Sequence, residues 1–388
     1  MKHFDLCQPT QIRFGWGRLD EVGEVLRMYG QRCLLVTGHT SGAKLPIYEK
    51  VKKELEGRGV EVVHFDGVVT NPTTEIVDTG VQMAEEHNAD VVLGLGGGSS
   101  MDTAKAIAVG VTHPGEVWDY RLFAGREIIH KALPIITVPT TSGTGSQVTP
   151  ISVITNSAER CKSALVSPFL YPRICIVDPE LMVTVPEHIT AATGFDAFTH
   201  AFESYIHSDA SAYTDLLAVE AMRIIAECLR VAIVDGLNKE ARSQMAWADT
   251  LAGICISNAG TTLPHGIGMA IGGHAPNVLH GEALSGIYPE FMRYTYGLKM
   301  GKFATLGRIL NPELEDVADQ IAASRSCVEM DGFLREIGMW LNLKQLEIPE
   351  DDLASIAIDS LRLPDYKVNP RVATRDEILE ILKKSYDH

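Results

Sequence analysis

The sequence predicts an α/β N-terminal domain built on a doubly wound, mainly parallel sheet, followed by an all-α C-terminal domain. In the first half of the 388-residue chain, short β-branched runs alternate with amphipathic stretches of helical length, which is typical of a parallel sheet covered by helices. After about residue 183, strand signals become scarce and helical periodicity dominates. We therefore predict two domains, at residues 1–182 and 183–388.

The individual elements follow from the same patterns. Strands are predicted at residues 32–37, 60–65, 90–95, 133–138 and 173–177. Helices are predicted at 46–58, 73–88 and 99–111, and in the second domain at 189–207, 213–231, 240–258 and 315–337. A chain of this length can bury a core in each domain.

The bulk composition excludes several classes of protein. A net charge of −16 argues against a nucleic-acid or anionic-membrane partner, since both require a basic face. Seven scattered cysteines without a Cys-x-x-Cys pair indicate a reducing compartment rather than a disulfide framework. The N-terminus has no signal-peptide pattern, and the uncharged run 132–158 is interrupted by prolines, so we expect no membrane span. These features predict a cytoplasmic protein.

The predicted strand 90–95 runs into a glycine-rich turn, Gly96–Ser99. Glycines let the backbone approach a phosphate, and the N-terminus of the next helix offers free N–H groups. Ser99 and Asp102 have the spacing of a capping box for that helix. The turn departs from the strict Rossmann fingerprint, because Ser99 replaces the third glycine and the turn follows a later strand. It predicts a pyrophosphate site, and the alternative is a tight turn without a ligand.

A second polar loop follows the predicted strand 133–138. Residues 139–146 are mostly threonine, serine and glycine, and they include Thr140, Thr141 and Thr144. Hydroxyl side chains at the carboxyl end of a strand line the crevice in which doubly wound sheets bind ligands. Two such loops favour a dinucleotide cleft, and the alternative is a hydroxyl-rich turn that satisfies its own backbone.

The second domain contains a long stretch without charged residues. Residues 250–281 include no Asp, Glu, Lys or Arg, which indicates burial. The stretch nevertheless holds three histidines, His265, His274 and His280. A buried histidine needs a fixed partner for its ring nitrogens, and a metal ion or a backbone carbonyl can serve.

Asp196 and His200 lie upstream, spaced i, i+4 within a predicted helix, so both project from one face. Such a pair alone is more often a surface hydrogen bond, but with His265 and His280 it fits a metal site of three histidines and one carboxylate. Four protein ligands close a tetrahedral zinc site, whereas Fe(II) accepts five or six ligands and leaves room for a substrate. Fe(II) is preferred if the site is catalytic, and zinc stays possible.

With these residues in view, the chain resembles the iron-containing (group III) alcohol dehydrogenases over its full length. The shared motifs are Ile12–Gly17, Asn71–Thr73, Gly96–Asp102, Pro139–Thr144, Lys162, Val177–Pro179, Asp196 with His200, His265–Gly266, His280–Gly281 and Asn369–Arg371. The resemblance implies the family fold, a dehydroquinate synthase-like architecture, and this agrees with the fold that the patterns predict.

The resemblance also implies roles for individual residues. The four expected metal ligands are Asp196, His200, His265 and His280. The residues expected to bind the dinucleotide are Gly38, Thr40, Ser41, Asn71, Gly97, Gly98, Ser99, Asp102, Thr140, Thr141, Thr144, Thr149 and Lys162. Residues 1–182 thus become the dinucleotide-binding domain, and residues 183–388 the metal-binding and substrate domain.

One departure from the family pattern concerns a catalytic histidine. Many members carry a further histidine four residues after the third metal ligand, where this chain has Met269. His274 is our candidate for that catalytic role. The alternative is that His274 is a bystander.

A second departure concerns the choice of cofactor. Members that prefer NAD tend to carry an acidic residue at the end of the strand 32–37, where this chain has Gly38. No acid at Gly38 repels a 2′-phosphate, and Thr40, Ser41 and Lys44 can donate hydrogen bonds to it. We therefore predict NADP(H) in preference to NAD(H).

The predicted reaction is hydride transfer between a nicotinamide cofactor and a small alcohol or aldehyde. A divalent ion lowers the pKa of the alcohol and polarises a carbonyl in the reverse direction. Two alternatives are a dehydroquinate-synthase-like lyase that uses metal and nucleotide, and a zinc-stabilised nucleotide-binding protein without catalysis. A homodimer or larger homo-oligomer is the general expectation for such a protein.

Overall fold

The structure is a computed structural model that describes residues 3–39 and 45–387. The chain divides into two compact units, one of Gln8–Val185 and one of Pro186–His388 together with Met1–Cys7. The division lies a few residues beyond the predicted boundary at 182/183. A parallel sheet with helices in the first unit and helices throughout the second confirm the predicted fold class.

The first unit is an α/β layer structure. Its elements are β1 (Gln11–Phe14), α1 (Val22–Arg27), β2 (Arg32–Gly38), α2 (Leu45–Glu56), β3 (Glu61–Val68), α3 (Thr74–Glu86), β4 (Val91–Gly96), α4 (Gly98–Gly110), β5 (Ile135–Pro139), β6 (Ile151–Asn156), β7 (Cys161–Val166) and β8 (Ile174–Val177). Six strands form a parallel sheet in the order β1-β8-β5-β4-β2-β3. The chain passes from β2 outward to β3 and returns to β4 on the other side of β2, so the switch point lies between β2 and β4.

Both faces of this sheet are buried, which explains the nearly continuous apolar runs of its strands. In β2, Leu34 and Val36 pack with α3 and α4. Cys33 and Leu35 alternate with them and pack with α1 and α2 on the opposite face. The predicted strands 32–37 and 90–95 therefore form the centre of the core.

The antiparallel hairpin β6–β7 was not predicted. Its first strand lies inside the uncharged run 132–158, which carries turn residues rather than a clear alternating pattern. The hairpin brings Lys162 of β7 to the turn before α3, where Thr73 bridges to Thr155. Contacts of this kind arise from tertiary pairing, which short strand signals do not reveal.

The second unit is helical, and no strand occurs among its described residues. Its helices are α5 (Glu187–Ile206), α6 (Ala212–Val234), α7 (Lys239–Asn258), α8 (Leu263–His274), α9 (His280–Thr295), α10 (Met300–Leu310), α11 (Asp319–Glu336), α12 (Leu353–Asp359), α13 (Asp365–Val368) and α14 (Arg375–Lys384). Helix α5 is central, because it packs against α6, α7 and α9. Within the described ranges, no helix has both the length and the apolar character needed to cross a membrane.

Helices α8 and α9 were not predicted as separate elements. Four glycines in α8 (Leu263–His274) weaken the helical signal, since each glycine costs about 1 kcal/mol relative to alanine in a helix interior. Burial compensates for this cost: of residues 250–281, all of which the structure describes, only Pro276 and Asn277 are exposed. The uncharged stretch is therefore interior, as its composition predicts.

Candidate metal and nucleotide sites

The structure brings the predicted metal ligands together around one carboxylate oxygen of Asp196. Its Oδ1 lies 3.7 Å from His200 Nε2, 3.7 Å from His265 Nε2 and 4.0 Å from His280 Nε2. Asp196, His265 and His280 each offer a ligand atom within 4.8 Å of the others, and the ring of His200 stacks on that of His265 at 4.6 Å between centroids. The arrangement is a compact cluster of three imidazoles and one carboxylate.

The geometry of this cluster fits a divalent cation. Atoms bound to one ion at about 2.1 Å lie roughly 3 to 4 Å apart, which is the range observed around Asp196 Oδ1. Among the described residues, the buried atoms Asp196 Oδ1 and His265 Nε2 have no hydrogen-bond partner. Buried polar atoms without partners are costly, so a ligand between them is the physical explanation that the donor set supports.

Three local structures position these side chains. Asp196 and His200 lie one turn apart on the buried helix α5. His265 lies in the first turn of α8, and His280 is the first residue of α9. Next to His280, a Cβ on Gly281 would lie 2.0 Å from the carbonyl oxygen of Ala192, so only glycine lets α9 approach α5 this closely. The glycine that follows His280 is therefore required by the packing of α9 against α5.

The electrostatics of the cluster are strongly coupled. Burial alone would lower the pKa of His265, but the carboxylates of Glu203 and Asp196 raise it to about 10. Burial alone would raise the pKa of Asp196, yet the charges of His200, His265 and His280 hold it well below its ordinary range. A raised pKa means that a proton on His265 Nε2 would have to leave before that atom could bind a metal.

Glu203 is part of the site, although the sequence patterns did not single it out. Its Oε1 lies 2.8 Å from Nδ1 of His265, and its side chain is fully buried. Together with Asp196 and His200 it forms an i, i+4, i+7 stripe on α5. That spacing is the signal that could have identified Glu203 from the sequence.

His274 lies at the end of α8, with its side chain 4% exposed. Its Nε2 is 2.9 Å from a carboxylate oxygen of Asp359, and its Nδ1 is 3.5 Å from one of Asp352. The two acids give the third histidine of the uncharged stretch its fixed partners. These contacts are those of a structural clamp between α8 and α12, and the catalytic role of His274 stays a prediction.

In the first unit, the two predicted polar loops lie side by side. Gly96 at the end of β4 pairs with Pro139 at the end of β5, and Thr140 N donates to Gly96 O at 2.9 Å. Gly96 has a φ of +148°, and a Cβ there would meet Ser100 Oγ at 2.5 Å. A Cβ on Gly98 would meet Thr144 Cγ2 at 2.5 Å, so the turn needs its glycines for both conformation and space.

The predicted capping box of Ser99 and Asp102 is wrong. Helix α4 begins at Gly98 with Gly97 as its N-cap, and no side chain caps it. The Asp102 carboxylate instead accepts hydrogen bonds from Ser146 Oγ at 2.6 Å and Val153 N at 3.0 Å. Asp102 therefore pairs with the hydroxyl loop (residues 139–146) and the hairpin. Ser100 N and Met101 N donate to Gly97 O at 3.0 and 3.3 Å, which leaves the N–H groups of Gly98 and Ser99 for another acceptor.

Lys105 is a fully buried residue that the sequence patterns also missed. Its Nζ donates to the carbonyl oxygens of Ser146, Thr149 and Ile151 at 2.7 to 2.9 Å, and it lies within 3.2 Å of the Ser146 and Thr149 hydroxyls. Burial lowers the pKa of Lys105 to about 8, opposed by the charge of Asp102. Lys105 thus fastens the hydroxyl loop to α4, and it engages both oxygens of Thr149.

The remaining predicted cofactor residues occupy separate places in the first unit. Lys162 donates to Asn71 Oδ1 at 2.8 Å, and Asn71 has a φ of +53°. Gly38 ends β2 beside the switch point. Thr40, Ser41 and Lys44 lie outside the described residues, and the binding roles of the whole set remain predictions.

Comparisons with known proteins agree over nearly the whole chain. The family described as iron-containing alcohol dehydrogenase matches residues 9–179, and the C-terminal domain of the Fe-containing alcohol dehydrogenase family matches residues 190–386. The chain is 33% identical over 382 residues to the NAD-dependent methanol dehydrogenase of Bacillus methanolicus, covering 97% of this chain and 98% of that protein. It is 34% identical over 386 residues to the 1,3-propanediol dehydrogenase of Citrobacter freundii, covering 99% of both.

A solved structure of an alcohol dehydrogenase has the same fold as this chain. An archaeal halo-thermophilic alcohol dehydrogenase from a Red Sea brine pool superposes with a TM-score of 0.93 at 33% identity, covering 99% of this chain and 100% of the other. Fold and matches together define an oxidoreductase of the alcohol dehydrogenase type. The chain belongs to the iron-containing alcohol dehydrogenase family. This membership confirms the predicted reaction class and supports neither the lyase nor the non-catalytic binding protein.

Proposed function

We propose that this protein interconverts small alcohols and aldehydes by hydride exchange with NADP(H), at a metal held by Asp196, His200, His265 and His280. The observation that supports the proposal most directly is Asp196 Oδ1, which faces three histidine Nε2 atoms at 3.7 to 4.0 Å. Relatives named for methanol and 1,3-propanediol support small alcohols as the substrate class.

The donor set supports Fe(II), with zinc as a second possibility. Three imidazoles and a carboxylate suit both ions, and the family name favours iron. A divalent ion in this position favours loss of the alcohol proton and polarises a carbonyl. Asp196 supplies the negative charge that offsets the cation, while His200, His265 and His280 contribute neutral ring nitrogens.

The cofactor site is proposed for the glycine turn and the hydroxyl loop of the first unit. The uncapped N-terminus of α4 at Gly97 and Gly98 suits a pyrophosphate, because free N–H groups and the helix dipole favour an anion. Thr140, Thr141 and Thr144 lie on the neighbouring loop. The hydride chemistry belongs to the nicotinamide, and these residues bind and orient the dinucleotide.

Metal removal tests the proposed function. Protein stripped with a chelator and reloaded anaerobically with Fe(II) or Zn²⁺ is assayed against a panel of small alcohols and aldehydes with both cofactors. We expect one ion per chain, no turnover without metal, and recovery on reloading, with Fe(II) more effective than zinc. Undiminished turnover in the metal-free protein would exclude the proposed metal site.

The preference for NADP(H) rests on Gly38, and the relative from Bacillus methanolicus is named NAD-dependent. A Gly38→Asp substitution places a carboxylate at the end of β2. Like charges at about 4 Å repel by roughly 1 to 4 kcal/mol, so we expect the kcat/KM ratio of NADP(H) to NAD(H) to fall at least about fivefold.

Asp66 on β3 offers the complementary variant, because its carboxylate already lies 3.6 Å from His39, the residue after Gly38. Asp66→Asn should shift the same ratio modestly toward NADP(H). A wild-type protein that uses NAD(H) more efficiently would contradict the proposed preference. The predicted homo-oligomer and the cytoplasmic location stay predictions, which light scattering and cell fractionation test.

A further inference from the structure

The side chain of Glu203 is fully buried in the helical unit. An ionised carboxylate without partners costs several kcal/mol in such a place, so its partners indicate why it is there. They lie on two elements, because Glu203 belongs to α5 and all of its described hydrogen bonds reach the beginning of α8.

The two oxygens of Glu203 have different partners. Oε2 accepts from Thr262 N at 2.8 Å and from the Thr262 hydroxyl at 3.3 Å. Oε1 lies 2.8 Å from Nδ1 of His265. Since a carboxylate oxygen is an acceptor, this contact requires a proton on Nδ1 of His265.

We propose that Glu203 is a positioning residue that holds His265 as the Nδ1–H tautomer, so that the lone pair on Nε2 faces Asp196 Oδ1 and the metal. A histidine ligand whose second nitrogen donates to a carboxylate is both oriented and made more basic. The opposite nitrogen, His265 Nε2, is the buried atom that lacks a hydrogen-bond partner among the described residues. The inference rests on the proposed metal site.

A merely structural role would consist of tying α8 to α5 through Thr262. The hydrogen bond from Thr262 N to Glu203 Oε2 ties the two helices together, because Thr262 is the N-cap of α8 and Glu203 lies on α5. The Thr262 side chain itself makes no cap hydrogen bond. That role predicts a loss of stability in a Glu203 variant and no change at the metal. The two roles are therefore separable by measurements on the ion itself.

The test compares wild-type protein with Glu203→Gln, which keeps the size of the side chain and one acceptor oxygen. Both are loaded with Co²⁺, whose visible absorption reports coordination geometry, and release into excess chelator is followed by stopped flow. We expect Glu203→Gln to bind one ion, to show a shifted absorption band and to release Co²⁺ about 10 to 100 times faster.

Asp331→Asn is the matched control, since Asp331 is a buried acid of the same unit that pairs with Arg293 on α9. It should lower the unfolding midpoint without changing the Co²⁺ spectrum or release rate. An unchanged spectrum and release rate in Glu203→Gln overturn the inference. Wild-type protein that binds no Co²⁺ through His265 overturns the proposed metal site instead, and the positioning role with it.

A measurement on the wild-type protein covers the case in which Glu203→Gln does not fold. In zinc-loaded protein labelled with ¹⁵N-histidine, His265 should show a protonated Nδ1 and a metal-bound Nε2. The reverse assignment, with metal on Nδ1, overturns the inference whatever the variant does.

Discussion

Replacing His265 with alanine is expected to remove the bound metal and to lower turnover by about 10³-fold or more. His265 lies between two acids, with Nε2 3.7 Å from Asp196 Oδ1 and Nδ1 2.8 Å from Glu203 Oε1. Its loss removes one ligand and leaves two buried acids without their shared partner. Without a catalytic cation the activation barrier rises by several kcal/mol. Metal content by elemental analysis and turnover on the same sample measure the effect.

His274→Ala is the matched control for metal retention, because His274 lies on the same helix and its contacts are with Asp359 and Asp352. It should keep its ion and unfold more easily. Turnover of this variant also tests the catalytic prediction for His274: a fall with metal retained supports it. Retention of metal and turnover by His265→Ala would refute the ligand assignment.

Replacing Gly281 with alanine is expected to destabilise the helical unit by about 3 kcal/mol or more and to displace His280. Helix propensity alone would make the alanine variant more stable by about 1 kcal/mol. A fall in the free energy of unfolding would therefore show that packing outweighs propensity. An added Cβ would lie 2.0 Å from the carbonyl oxygen of Ala192, and a backbone atom of a central helix cannot yield without moving α5. Denaturant unfolding of metal-free protein measures the loss.

Gly266→Ala provides the comparison, since Gly266 follows His265 as Gly281 follows His280. Its added Cβ would meet Asp365 Cβ at 3.3 Å and Ser360 O at 3.4 Å, which small shifts can relieve. We expect a change within about 1 kcal/mol. Equal stabilities for the two variants would show that the approach of α9 to α5 does not depend on Gly281.

Much of the fold was accessible from local patterns. The strand at 90–95 and the glycine turn after it follow from a buried apolar run and from residues that tolerate φ values such as +148° at Gly96. The hairpin β6–β7 and the glycine-rich helix α8 were not predicted, because their stability comes from burial rather than from propensity.

Part of the candidate site could also be predicted from local patterns, and part could not. The i, i+4 spacing of Asp196 and His200 and the uncharged stretch with His265 and His280 predicted which residues meet, and the structure brings all four together. Glu203 was missed, because its i+7 spacing from Asp196 indicates a shared helix face but does not by itself distinguish a buried glutamate from a solvated one.

By itself, the sequence determined the α/β-then-α order, the glycine turn and the identity of the histidine cluster, because spacing along a chain decides which side chains share a helix face or a strand end. Only the tertiary structure decided the partners of the buried charges. In the folded chain, Asp102 accepts hydrogen bonds from Ser146 and Val153 instead of capping a helix. His274 contacts the carboxylates of Asp359 and Asp352. Which acid reaches which donor depends on distances between packed elements, and burial makes each such pairing obligatory.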